Sequence, residues 1–122
     1  SCSLLADVVV IVHPSNTAKM DPAEISKLYL GRSKSFADGS AAIPLAQAES
    51  ASATPIFNEK ILNKTGSQMK AYWSKLLFTG KGTPPKELTA TEMLELIAAN
   101  PNTIGYIDAA SVNGDVKVIA TF

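Results

Sequence analysis

The chain has 122 residues, 46% of them hydrophobic, which is enough for one ordinary domain with a real core and too little for two. Lys plus Arg equals Asp plus Glu at 11 each, so no field of one sign draws the chain to nucleic acid or to an anionic membrane surface. The single cysteine, Cys2, excludes an intrachain disulfide and a cysteine-built zinc site, and no apolar run approaches the roughly 18 residues of a membrane-spanning helix.

Residues 1–6, SCSLLA, resemble the end of a secretory signal or a disordered tail, with Cys2 as a weaker candidate for lipid attachment. Residues 7–122 are expected to form one lobe. The run DVVVIVH at 7–13 is continuously apolar and β-branched, which suits a strand buried on both faces rather than a half-exposed antiparallel one. Asp21-Pro22-Ala23-Glu24 reads as a capping box with proline at the first helical position, and Ile25, Leu28 and Tyr29 share one face before Gly31 ends the helix.

A polar stretch with the turn pair Asp38-Gly39 leads to a short strand at 43–47, followed by a helix over about 54–62. Thr65-Gly66-Ser67-Gln68 opens the next helix, whose Met69, Tyr72, Trp73, Leu76 and Leu77 fall at the spacing of a core-facing stripe. Residues 79–85, with two glycines and two prolines, read as a loop. Thr89-Ala90-Thr91-Glu92 starts a fourth helix through Met93, Leu96 and Ile97, and strands follow at 103–108 and 116–121, the last with alternating Val116, Val118 and Ala120. The order strand, helix, strand, three helices, strand, strand predicts an α/β fold with a mixed, partly parallel sheet flanked by helices.

Few residues offer chemistry. His13 is the only histidine and reads as a strand-end residue with a satisfied hydrogen bond, so no histidine metal site or Ser-His-Asp triad can be assembled around it. Gly80-Lys81-Gly82-Thr83 lacks the phosphate-loop spacing and runs into two prolines, which makes it a helix cap entering a rigid turn. No nucleophile and base stand at a recognisable spacing, and no cofactor is expected. The segment Ser50-Ala51-Ser52-Ala53-Thr54 lies between a strand and a helix, where backbone N–H groups and hydroxyls can face an anion. The same residues equally describe a Ser52 or Thr54 cap with Pro55 beginning the helix.

Several segments, in order, resemble one family: VVVIVHPSN at 8–16, ISKLYLGR at 25–32, AYW at 71–73, FTGKGTPP at 78–85 and NPNTIGYI at 100–107. They are similar to the phosphate-type substrate-binding proteins of bacterial ABC transporters, within the type II periplasmic binding protein superfamily. The resemblance implies an α/β binding lobe, a periplasmic or exported location, and non-catalytic recognition of phosphate or a similar oxyanion. It places Ala51-Ser52-Ala53-Thr54 where the family has a Gly-Ser-Gly-Thr-like loop, with Ser52 and Thr54 as hydroxyl donors, Gln47 on the approach, and Ser50 taking the role if the alignment shifts.

Two departures weaken the expected site. Alanines replace both loop glycines, and Gln47 and Glu49 stand where the family often has an arginine, which removes a charge-assisted contact of roughly 1.5–3 kcal/mol. The chain is also about half the family's two-lobe size, so the resemblance implies weak binding on an open lobe, or a partner: an ABC transporter, another lobe-containing protein, or a second copy of this chain. The alternative is a periplasmic protein–protein interaction module that keeps the lobe fold without ligand binding. A binder should show a polar surface near Thr54, and a docking module an exposed apolar patch there.

Overall fold

The computed structural model describes residues 7–16, 20–36 and 38–122; the tail at 1–6, with Cys2, lies outside the described residues. The elements in chain order are β1 (Val8–Val12), α1 (Pro22–Tyr29), β2 (Ile43–Ala46), α2 (Ala53–Phe57), α3 (Gly66–Thr79), β3 (Lys86–Glu87), α4 (Ala90–Ala99), β4 (Thr103–Asp108) and β5 (Lys117–Thr121). They build a five-stranded sheet in the order β3-β2-β4-β1-β5. β2 runs parallel to β3 and β4, whereas β1 is antiparallel to both β4 and β5. The sheet is therefore mixed and partly parallel, as the element order predicts.

β1 is buried along its whole length, yet it is an antiparallel strand. A continuous apolar run thus reports burial on both faces and not strand direction. Alternate residues serve two cores. Val8, Val10 and Val12 pack with Ile25, Leu28, Tyr29, Phe57, Ile104 and Tyr106 under α1 and α2, whereas Val9 and Ile11 pack with Leu45, Met93, Ile97 and Ile107 under α4. Gly105 of β4 permits the second contact: a Cβ there would stand 2.5 Å from Met93 Sδ and 2.8 Å from Ile97 Cδ1.

All three expected capping boxes form, at Asp21 with Glu24, Thr65 with Gln68 and Thr89 with Glu92. Each satisfies two otherwise unpaired N–H groups, contributing about 1 kcal/mol at the helix start. Four details differ from the pattern in the sequence. β3 is a two-residue exposed edge strand formed by Lys86 and Glu87, too short and polar to carry a period. The expected helix over 54–62 is α helical only to Phe57 and widens into a π turn over Asn58–Leu62, ended by Asn63 in the left-handed conformation.

The third difference is in β5, where the register slips between Val10 and Ile11, pairing Val10 with Ala120 and Ile11 with Val118. Ile119 is the extra residue of this bulge, so Val118 and Ala120 meet opposite faces and the expected alternation breaks. The fourth is α3. Its helix is as expected, but of the five-residue stripe only Trp73 is buried, Leu77 is 50% exposed, and the adjacent Phe78 is 92% exposed. Tyr72 and Trp73 hold it to the body: Tyr72 donates to the Leu30 carbonyl at 2.6 Å, and Trp73 Cη2 lies 3.4 Å from where a Cβ on Gly31 would stand. Gly31 has φ +76, the left-handed region that favours glycine, while a Cβ there would make only an ordinary contact with Trp73.

Candidate functional site

Parallel pairing of β2 and β4 brings their carboxyl ends to the same edge of the sheet, where open α/β sheets place their ligands. The loop after β2 hangs on Tyr106 of β4. The Tyr106 hydroxyl accepts from the Gln47 N–H at 3.0 Å, and Gln47 Nε2 donates to the Tyr106 carbonyl at 2.7 Å. Thr54 Oγ1 donates to the Ala48 carbonyl at 2.8 Å and lies 3.2 Å from the Tyr106 hydroxyl, which is placed to donate to it.

The aromatic floor under this loop is tight. Phe57 stacks on Tyr106 at 4.1 Å with 8° between planes, and Tyr29 meets Phe57 edge-on at 4.6 Å. Tyr29 donates to the Leu45 carbonyl at 2.7 Å with that of Ile104 at 3.2 Å, tying β2 to β4 from beneath. Burial pushes the Tyr29 phenol well above its ordinary value, helped by neighbouring Tyr106 and opposed by the Leu45 bond. Burial also raises the Tyr106 phenol, against the lowering effect of its bonds to Thr54 and Gln47. Both therefore stay protonated at neutral pH and act as structural donors.

The residues singled out from the sequence divide into two groups. Gln47, Ala53 and Thr54 are buried, and Gln47 Nε2 and Thr54 Oγ1 are used within the fold. Ser50 and Ser52 are exposed and Ala51 is half-buried, so these three form the outward face of the turn. The turn is shaped by Ala51 N–H to the Ala48 carbonyl at 2.9 Å and Thr54 N–H to the Ala51 carbonyl at 3.2 Å. Among the described residues the N–H groups of Ser52 and Ala53 make no hydrogen bond.

The expected Ser52 cap does not form: Ser52 precedes α2 in helical conformation without a capping bond, and Pro55 is the third helical residue rather than the first. Ser52 Oγ instead stands 3.5 Å from Oδ2 of Asp108, at the end of β4. Asp108 Oδ1 is buried without a hydrogen-bond partner. Sequence reasoning missed Asp108, because 56 residues separate it from Ser52 and only the β2–β4 pairing brings them together. Glu49, beside the turn, faces Lys70 of α3 at 3.5 Å in an exposed pair of little energetic weight. The outer face of the turn therefore offers the Ser52 N–H and the serine hydroxyls to an anion, together with a carboxylate that opposes one, whereas Ala53 is buried.

The other singled-out residues do local work. His13 Nδ1 accepts from the Ser15 N–H at 3.0 Å, and Gly80 caps α3 in the left-handed conformation at φ 72. Among the described residues no group of three or more His, Cys, Asp or Glu is placed to hold a metal ion.

Comparison of the sequence with models of known families and with characterised proteins finds no match. Comparison of the fold does. The chain superimposes on a protein of Clostridium perfringens described as a phosphate ABC transporter substrate-binding protein with bound phosphate, with TM-score 0.69 and 17% identity over 93% of this chain and 44% of that one. An ABC-type phosphate transport receptor from Vibrio cholerae matches with TM-score 0.63 and 15% identity over 93% and 45%. PstS from Borrelia burgdorferi matches with TM-score 0.67 and 13% identity over 94% and 47%. The fold is that of one lobe of these binding proteins. The chain spans less than half the length of each, and at these identities the likeness is one of fold. No described helix is long and apolar enough to cross a membrane.

Proposed function

We propose that this chain is a non-catalytic solute-binding lobe that takes phosphate or a similar oxyanion weakly at the turn over residues 50–54. The observation that carries the reading is the polar outer face of that turn, at the carboxyl ends of two parallel strands in a fold shared with phosphate-binding proteins. Of the exposed large apolar side chains, Ile43, Phe78 and Val118 line no cavity with residues of the turn, and only Leu77 shares a lining with Gln47 and Thr54, so no broad apolar patch stands at this edge. The reading includes a periplasmic or exported location, with an ABC transporter or a second lobe as partner.

Weakness follows from the donor set. Thr54 and Gln47 are committed inward and Ala53 is buried, so the Ser52 N–H and the Ser50 and Ser52 hydroxyls remain. Two charge-assisted bonds at about 1.5–3 kcal/mol each correspond to a dissociation constant on the order of 1 mM. The Asp108 carboxylate selects an anion that brings its own proton, because a protonated phosphate can donate to it and sulfate cannot.

Calorimetric titration tests this. Phosphate should bind in the millimolar range and sulfate more weakly; Ser52→Ala should weaken phosphate, and Asp108→Asn, which adds a donor, should raise sulfate toward phosphate. Absence of heat with both anions in the unmodified protein overturns the reading.

A further inference from the structure

Two cavities, of about 510 and 240 Å³, open beside the ends of α1 and α3. They share Gly31, Lys34, Trp73 and Thr83, and so form one groove that runs from the last turns of α3 to the start of β2. No residue of the turn over 50–54 lines it.

The charged residues of the groove are all of one sign. Arg32 and Lys81 line the larger cavity, Lys86 the smaller and Lys34 both, whereas no Asp or Glu lines either. The chain as a whole is neutral, so this is a local separation of charge. Strand alternation contributes to it: in β3, Lys86 lines the groove while the neighbouring Glu87 lines the cavity beneath α3 together with Glu49. Among the described residues none of the four cations makes an ion pair.

Helix ends account for two of them. Arg32 and Lys81 each follow a left-handed glycine that closes a helix, Gly31 and Gly80, where a cation offsets the carbonyl end of the helix dipole. Lys34 and Lys86 stand on no helix end. Their backbones are held in place by the Ala42 N–H, which donates to the Lys34 carbonyl at 3.0 Å, and by the pairing of Lys86 with Leu45. A cleft lined by cations alone concentrates negative charge.

Shape and apolar lining select the kind of anion. Trp73 lines the whole groove, Leu77 only its α3 half and Ile43 only its β2 half, and these last two side chains are 50% and 48% exposed. A flat bilayer does not enter a groove, and an inorganic anion would leave Leu77 and Ile43 in water. An extended peptide reaches both, with carboxylates between them for the cations.

We propose that this groove docks an extended acidic segment of a partner protein that carries an apolar side chain at either end of its carboxylates. Lys34, at the junction of the two cavities, takes the central carboxylate. The inference rests on this surface alone and does not depend on oxyanion binding.

Fluorescence anisotropy of a short fluorescein-labelled peptide of glutamates with a leucine near each end tests the proposal. The peptide should bind saturably, and more weakly as salt is raised, because exposed charge pairs are screened. Lys34→Glu should weaken it about tenfold or more, as expected for loss of one charge-assisted contact. Lys60→Glu makes the same charge change at an exposed lysine outside the groove and should alter the affinity less than about twofold. Both variants should keep the calorimetric response to phosphate of the unmodified protein. No saturable binding, equal binding of a peptide with glutamine for glutamate, or equal losses in Lys34→Glu and Lys60→Glu overturns the proposal. So does tighter binding of oligothymidylate or of phosphatidylglycerol vesicles, which would assign the cations to nucleic acid or to a membrane surface.

Discussion

Helices α3 and α4 start alike, each with a threonine capping box, and each carries apolar residues at helical spacing. Their fates differ. α4 lies flat on the sheet with Met93 and Ile97 fully enclosed, over a glycine that lets it approach. α3 buries Trp73 alone and leaves a cavity beneath it. An apolar stripe therefore states what a helix can bury; the backbone opposite decides how much it does.

The largest expected contrast comes from truncating equivalent stripe residues. Ile97→Ala should cost about 2–5 kcal/mol in urea unfolding, since it empties an enclosed site. Leu77→Ala, at a half-exposed position on the rim of the cavity, should cost no more than about 0.5 kcal/mol. Equal losses would show that α3 is seated as firmly as α4 and would erase the contrast.

The seat of α4 gives a sharper test. Gly105→Ala forces a Cβ into Met93 and Ile97 and should destabilise by about 1–3 kcal/mol, read as a lower urea midpoint with the slope unchanged. Retained stability would mean that α4 can lift, as α3 already does.

The smallest effect concerns the tyrosines under the turn. Folding raises both phenols above their ordinary value of 10.0, so the folded state holds these protons more tightly than the unfolded chain does. Their contribution is fully present below that pH and is lost as pH rises from it through the folded values. Thermal melts should fall from about pH 10 upward, and Tyr106→Phe should flatten part of the fall.

The sequence carried the local features of this protein because they rest on short-range rules. Capping boxes need only a Thr or Asp and a Glu or Gln three residues on, and the β-branched run of β1 encodes burial on both faces whatever its neighbours. Features set by partners far along the chain were not readable. The bulge at Ile119 arises from register against β1, the edge strand at Lys86 from the backbone of β2, and the cavity from the stand-off of α3. The candidate site divides the same way: the sequence marked Ser50 and Ser52, whereas the inward commitment of Thr54 and Gln47 and the approach of Asp108 follow from β2 pairing with β4. Hydrogen bonds and charges separated by more than 50 residues are assigned by strand order, and strand order is a property of the whole packed sheet.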